Sequence, residues 1–259
     1  MKAILIMPKT EMKQERAQTK METEGLIIRS TKYGEGSKML TILTPEGKVE
    51  AAANGANSLK SRLFAGSQLF CYSKIVLKQG KGKLPYTSSC DVTENFYGIR
   101  NDVAKVAMGV YFCELLDTIV TGEDSARVLK FALNTLYMLE KSENYTYLKP
   151  LFELRLLSLI GFMPNMDCCT VCGDEGSFDR FSVALGGVVC EDCGNGRQIS
   201  KSTIEAMRYI CTSPDKAVFS FTVSEQVELE LWDICEEFLL YHIGKTPYKL
   251  SYLKKMLDK

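Results

Sequence analysis

The sequence predicts a multidomain fold: an N-terminal five-stranded OB-fold β barrel, an α-helical bundle domain, and a four-cysteine zinc-finger insert that interrupts the bundle. Three observations carry that reading. Residues 24–92 alternate β-branched runs with Gly and Pro turns. Residues 95–161 and 200–242 change to helical spacing. Between those two helical stretches four cysteines stand as C-x2-C-x17-C-x2-C. The boundaries that follow are a flexible extension over 1–20, a barrel over 21–98, a helical domain built from 99–165 and 198–259, and an insert over 166–197.

The barrel strands are read in order. Gly25 to Arg29 is a β-branched run, and Gly34, Glu35 and Gly36 mark a turn. Lys38 to Thr44 is a second strand, ended by the Thr44-Pro45-Glu46-Gly47 turn, where Pro and Gly stand as a hairpin requires. Lys48 to Ala53 is a third. Ser58 can cap a short helix over 59–65. Leu69 to Lys78 and Leu84 to Val92 complete the set, on either side of a Gly-Lys-Gly-Lys loop. Five strands with a short helix after the third outline an OB barrel. Small SH3-like barrels share much of that outline, and pattern alone leaves both open.

Helical stripes follow. Val103, Val106, Ala107, Val110, Tyr111 and Leu115 form one, and Val128, Leu129, Ala132, Leu136 and Leu139 another. Pro150 suits the first turn of a third helix that Gly161 ends. A helix over 200–211 and another over 224–242 come after the cysteines. In the latter, Val227, Leu231, Ile234, Phe238 and Tyr241 recur as a packing face. Residues 1–20 are polar and unpatterned after Met7 and receive no role in the fold.

The totals set limits. The chain has 259 residues, 32 basic and 32 acidic, so net charge argues for no particular partner. No apolar run approaches the ~20 residues that cross a bilayer. The run Ala3 to Met7 is too short for a signal core, and Pro8 ends it. The expectation is a cytoplasmic protein with reduced thiols, in which Cys71, Cys90, Cys113, Cys211 and Cys235 act as small buried apolar residues.

Cys169, Cys172, Cys190 and Cys193 are different. Two intervening residues let a pair of thiolates converge within one tight turn, and two such turns supply the tetrahedral S4 set that zinc prefers. Gly173 and Gly194 each follow the second cysteine of a pair, where the turn needs a permissive backbone. Disulfides would require an oxidising compartment, an iron–sulfur cluster also takes four cysteines, and a redox pair would not usually come doubled. Cys168 adjoins Cys169 and could ligate in its place. Four thiolates leave no open coordination position, so the expected metal is one structural zinc ion.

The charges are sorted along the chain. From Ala51 to Cys90 there is no Asp or Glu, while Lys60, Arg62, Lys74, Lys78, Lys81 and Lys83 fall in that run. Arg29, Lys32, Lys38 and Lys48 add to the same region. A positive field on a barrel suits phosphate backbones, and Phe64, Phe70, Tyr72 and Tyr86 could stack unpaired bases or fill the barrel core. Glu225, Glu228, Glu230, Asp233, Glu236 and Glu237 read as a solvated helix face, followed by the basic tail Lys245, Lys249, Lys254, Lys255 and Lys259. Nothing points to catalysis. His242 is the single histidine and stands near a helix end, and the Gly80–Lys83 loop lacks the phosphate-loop pattern.

Taken together, several stretches resemble the bacterial recombination mediator family RecO. They are Thr23 to Arg29, Tyr33 to Lys38, Gly55-Ala56 with Lys60-Ser61-Arg62, Gly161 to Pro164, Cys169 to Gly173, Gly186 to Cys190, and Cys193. The resemblance implies an OB domain, a helical domain and a zinc finger. It also implies binding of single- and double-stranded DNA, annealing of complementary strands, and no nucleotide requirement. Implied partners are the C-terminal tail of single-stranded DNA-binding protein and RecR, with which the protein would help a recombinase load. The zinc cysteines carry over as Cys169, Cys172, Cys190 and Cys193. Arg29, Lys38, Lys60 and Arg62 match positions that are commonly basic. Asn57 stands where a basic residue is expected, and residues 1–20 have no counterpart.

Overall fold

The computed structural model describes residues 20–80, 82, 84–194, 196–220 and 222–257. Strands β1 (Lys20–Tyr33), β2 (Ser37–Thr44), β3 (Gly47–Ala53), β4 (Tyr72–Gln79) and β5 (Pro85–Glu94) close into a barrel in the order β1-β2-β3-β5-β4. All neighbours are antiparallel except β3 with β5. This is the OB arrangement, and it removes every sheet edge.

The period-two alternation of each strand divides its side chains between two cores. Ile27 of β1, Leu40 and Ile42 of β2, Ala51 and Ala53 of β3, and Ile75 and Leu77 of β4 fill the barrel interior. Leu26, Ile28 and Leu43 point outward and are buried against the helices. That double burial explains the unbroken apolar runs in β1 and β2, which a one-sided strand would interrupt with polar residues.

The segment 54–70 is a succession of turns, where the sequence predicted a helix over 59–65. Its hydrogen bonds are mostly of i→i−3 type. The Ser61 hydroxyl accepts from the Leu63 amide, and the Ser67 hydroxyl donates to the Phe64 carbonyl. These local bonds compete with helical pairing.

After a 3-10 turn at Tyr97–Asn101 come α1 (Val103–Ile119), α2 (Ser125–Lys141), α3 (Leu148–Leu159), α4 (Lys201–Thr212), α5 (Glu225–Ile243) and α6 (Tyr248–Met256). Asp102 caps α1 by accepting from the amides of Ala104 and Lys105, while Ser200 and Ser224 cap α4 and α5. Helix α3 is buried on nearly every side and forms the centre of the bundle. The α2 stripe is buried as expected, but Val103 on α1 and Tyr241 on α5 are exposed. Helix α6 occupies the stretch that the sequence reads as a basic tail. The Glu114 carboxylate of α1 accepts from the amides of Tyr248 and Lys249 and so caps its N-terminus.

The acidic residues of α5 are also more than a solvated face. Glu230 accepts from the Ser200 amide and the Thr203 hydroxyl, and Asp233 and Glu237 pair with Arg197. Glu236 pairs with Lys149 and Lys254. One helix thereby ties α3, α4, α6 and the cysteine insert together. Barrel and bundle meet at Phe70, which is buried, holds φ 69°, and packs beside Gly109 of α1 with Arg100 over its ring at 5.8 Å.

Candidate nucleic-acid interface and metal centre

Strand pairing redistributes the basic residues. Arg29 donates from Nε to Thr41 (2.9 Å) and from Nη2 to Glu50 (2.7 Å), with Asp117 of α1 at 3.5 Å. Lys74 lies opposite Glu24 on β1 and Asp91 on β5. Arg29 is thus ion-paired within the protein, while Lys74 has acidic strand neighbours but no ion pair among the described residues; the barrel register brings these acids in from outside the acid-free run. Lys78 lies opposite Lys20 and Tyr86. Lys81 and Lys83 lie outside the described residues.

Among the described residues no ion pair joins Lys32, Lys38, Lys60 or Arg62 to a carboxylate, and no acidic residue stands opposite Lys32 or Lys38 in the sheet. Lys60 and Arg62 are exposed on the 54–70 connection, beside an exposed Leu59. Lys32 and Lys38 face each other across β1 and β2 at the end of the barrel. Lys38, Leu40 and Ile42 share one parity, so Lys38 continues the inward face and sits in the barrel mouth at 9% exposure. Its Nζ lies 3.4 Å from Ser67 Oγ and 5.6 Å from the centre of the Phe64 ring. Burial lowers its pKa below the usual lysine value, with a nearby Cys71 thiol acting weakly the other way.

Lys32 and Lys38 line a groove of about 410 Å3 between the distal end of the β1–β2 hairpin and the 54–70 connection, the segment that also carries Lys60 and Arg62. Half-buried Phe64 presents an aromatic surface there. Asn57 and Gln68 line it also, each holding its amide in place by donating to a main-chain carbonyl. Gln68 carries no sequence signal for this role. The inward parity of Lys38 was legible, in its spacing from Leu40 and Ile42. Of the other interleaved aromatics, Phe70 belongs to the barrel–bundle joint, and Tyr72 and Tyr86 are half-buried on β4 and β5.

The second site is the cysteine cluster. The Sγ atoms of Cys169, Cys172, Cys190 and Cys193 all lie within 4.8 Å of one another. Each pair forms a knuckle in which the following glycine amide returns to the first cysteine carbonyl: Gly173 to Cys169 at 2.8 Å and Gly194 to Cys190 at 3.2 Å. Gly173 (φ 76°) and Gly194 (φ 53°) occupy the left-handed region that the turns demand. Cys168 points elsewhere, its sulfur accepting from Asn165 Nδ2 at 3.3 Å.

The donor set fits a tetrahedral thiophilic metal. Bonds of ~2.3 Å give a tetrahedron with edges of about 3.8 Å, and Cys172 and Cys190 sulfurs stand 3.8 Å apart. The amides of Cys172 and Cys190 hold the Cys169 thiol down at about 6, while hydrogen bonds with the Cys190 and Cys172 thiols push Cys193 up to about 12. Four sulfurs this close repel one another as thiolates, and a cation at their centre resolves that conflict.

Around the knuckles, β6 (Arg180–Ser182), β7 (Gly187–Val188) and β8 (Arg197–Gln198) make a small sheet in the order β7-β6-β8. Cys169, Phe181, Val188 and Val189 join the bundle core, with Phe181 edge-on to Phe238 of α5 at 5.7 Å. The insert therefore rests on the bundle as well as on its cysteines.

His242 lies in the last turn of α5, where burial lowers its pKa below the ordinary imidazole value and so disfavours the charged form a dipole role would use. Its ring packs between Phe238 and Phe162 at 4.4 and 4.7 Å. No helix of the described residues is long and apolar enough to cross a membrane.

Comparison with known proteins agrees with this geometry. The family model described as Recombination protein O N terminal matches residues 18–96, and that described as Recombination protein O C terminal matches residues 100–251. The DNA repair protein RecO of Acetivibrio thermocellus is 36% identical over 246 residues, covering 91% of this chain and 97% of the relative. The protein of the same name from Symbiobacterium thermophilum is 31% identical, with 91% and 95% covered. That from Alkaliphilus metalliredigens is 29% identical, with 92% and 99% covered.

Proposed function

The chain belongs to the RecO family of DNA repair proteins, and from that premise we propose that it is a DNA-binding recombination mediator acting without catalysis. It binds single- and double-stranded DNA, holds complementary strands close enough to anneal, and works with RecR and the tail of single-stranded DNA-binding protein to help a recombinase load. The observation that carries this reading is the barrel mouth. Lys32 is exposed there beside a groove with an aromatic wall, and Lys60 and Arg62 are exposed on the 54–70 connection that forms one side of that groove, all three without carboxylate partners among the described residues. Such a surface neutralises phosphates and displaces their counterions. Lys78 on β4 would extend it, and Lys81 and Lys83, which lie outside the described residues, are proposed as further contacts. Arg29 and Lys74 contribute less, because acidic neighbours already offset their charge.

One structural zinc ion is held in this reading by Cys169, Cys172, Cys190 and Cys193. It supplies a closed cross-link between two knuckles and no reaction site. For the partner tail, the bundle offers an apolar cleft of about 480 Å3 lined by Tyr137, Met138 and Phe219, with Lys216 at its edge.

The test is fluorescence anisotropy with bare labelled oligonucleotides across a salt series. Binding should weaken steeply as salt rises. The variant Lys60→Glu/Arg62→Glu should weaken both single-strand and duplex binding while leaving the far-ultraviolet circular dichroism unchanged. Affinity that is indifferent to salt, or unaltered by the charge reversal, would overturn the placement. A scaffold that reaches DNA only through other proteins would show no binding to bare strands at all.

A further inference from the structure

We infer that the barrel mouth is a pocket for one unpaired nucleotide, so that Lys38 and Phe64 give the DNA surface its preference for single strands. The inference rests on the DNA-binding reading above and deepens it.

Lys38 is the starting point. Its side chain is nine-tenths buried, yet no carboxylate pairs with it among the described residues. The Ser67 hydroxyl and the face of Phe64 are its partners there. A buried cation without an anion is costly to keep, and Lys149 in the same protein shows the usual remedy, two carboxylates within 3.0 Å. Lys38 lacks one negative charge and lines an open groove that can admit it.

The groove has the chemistry of a nucleotide. Its volume of about 410 Å3 falls in the range of small-ligand pockets. Phe64 offers a ring for base stacking. Gln68 donates its amide N–H to the Phe64 carbonyl, and Asn57 donates to the Ser37 carbonyl. Both side-chain oxygens therefore remain as acceptors for base N–H groups, the thymine imino group included. Lys32 at the rim and Lys38 within can share the phosphate.

Depth selects the strand. In a duplex the bases are stacked inside and the phosphates lie on the outer surface of a wide rod. Such a rod can touch exposed Lys60 and Arg62 but cannot lower a base beside Phe64 or a phosphate onto recessed Lys38. A splayed single strand can do both.

The experiment compares anisotropy titrations of a fluorescein-labelled dT20 strand and a labelled 20-base-pair duplex on wild type, Lys38→Met, Phe64→Leu and Lys60→Glu/Arg62→Glu. Lys38→Met should lower dT20 affinity about 10-fold or more, a loss of about 1.4 kcal/mol. It should also reduce the slope of log affinity against log salt by about 0.7. Phe64→Leu should weaken dT20 binding about 5-fold or more. Duplex affinity should change less than about 2-fold in both, whereas the Lys60/Arg62 variant should lose both ligands. Because Met replaces a buried unpaired cation, Lys38→Met should melt no lower than wild type. Phe64→Leu provides the second reading if it does. Wild type that binds neither probe would refute DNA binding itself. Wild type that binds dT20 while Lys38→Met and Phe64→Leu bind it unchanged, or lose duplex and single strand equally, would refute the pocket alone.

Discussion

Replacing Lys149 by Met should destabilise the protein by about 3–5 kcal/mol, the range for removing one partner of a buried ion pair. The side chain is fully buried on α3. Its Nζ lies 2.9 and 3.1 Å from the two Glu153 oxygens and 2.9 Å from Glu236, and 4.5 Å from the Trp232 ring. Burial opposes its charge, but the two carboxylates outweigh that and hold its pKa above the ordinary lysine value. After substitution Glu236 keeps Lys254 and some solvent. Glu153 keeps only the Tyr111 hydroxyl, which burial and Glu153 itself hold protonated. The cost therefore falls on Glu153.

At ~2–4 °C per kcal/mol for a chain of this size, the melting temperature should fall by roughly 6–20 °C. Trp232 is the sole tryptophan and sits against the site, so its fluorescence in a urea titration reports the change. Removing the stranded acid should reverse much of the loss. Lys149→Met/Glu153→Met leaves the Tyr111 hydroxyl orphaned at ~1–3 kcal/mol, and adding Tyr111→Phe should restore stability to near wild type or above. A Lys149→Met protein within about 1 kcal/mol of wild type, or a triple variant less stable than the single one, would refute the reasoning. The pH dependence has a definite sign. A lysine pKa raised on folding stabilises at neutral and acid pH, and that contribution is lost as pH rises past the ordinary value of 10.5.

Other consequences can be tested alongside. Metal analysis of protein kept reduced should find one zinc per chain. Cys169→Ala should lose it while Cys168→Ala keeps it, since only the Cys169 sulfur joins the cluster. Chelation should loosen the knuckles and raise amide exchange around 169–174 and 190–194, yet leave Phe181 and Val188 protected, because the bundle core holds them; uniform loss of protection across the bundle would contradict that division. Gly109→Ala would place a Cβ 2.9 Å from the Phe70 ring at the barrel–bundle joint. It should cost about 1–3 kcal/mol by thermal melt, and an unchanged melting temperature would show the joint to be loose.

Much of the architecture was legible because it is written in local spacing. Alternation along β2, the four-and-three recurrence of Val128, Leu129, Ala132, Leu136 and Leu139, and glycines after each cysteine pair are properties of neighbouring residues. Local spacing decides helix against strand and which thiols can share a metal. The helix expected over 59–65 failed on the same local level, where serine hydroxyls competed for the backbone.

What the sequence by itself determined was the order of elements, the apolar faces and the cysteine set. Only the tertiary structure decided which charges are available. Arg29 meets Glu50 and Asp117, and Lys74 lies opposite Glu24 and Asp91, although none of these acids falls inside the acid-free run from Ala51 to Cys90. On α5, Glu236 likewise turns inward to Lys149 and Glu230 to Ser200, while Asp233 pairs with Arg197 at the surface. The physical reason is that an electrostatic field sums over space, and barrel closure and helix packing bring together charges that the chain keeps far apart. Lys38 is the clearest case: its alternation with Leu40 and Ile42 turned it inward, but closure of the barrel under Phe64 and Ser67 is what left it buried, unpaired and facing a groove.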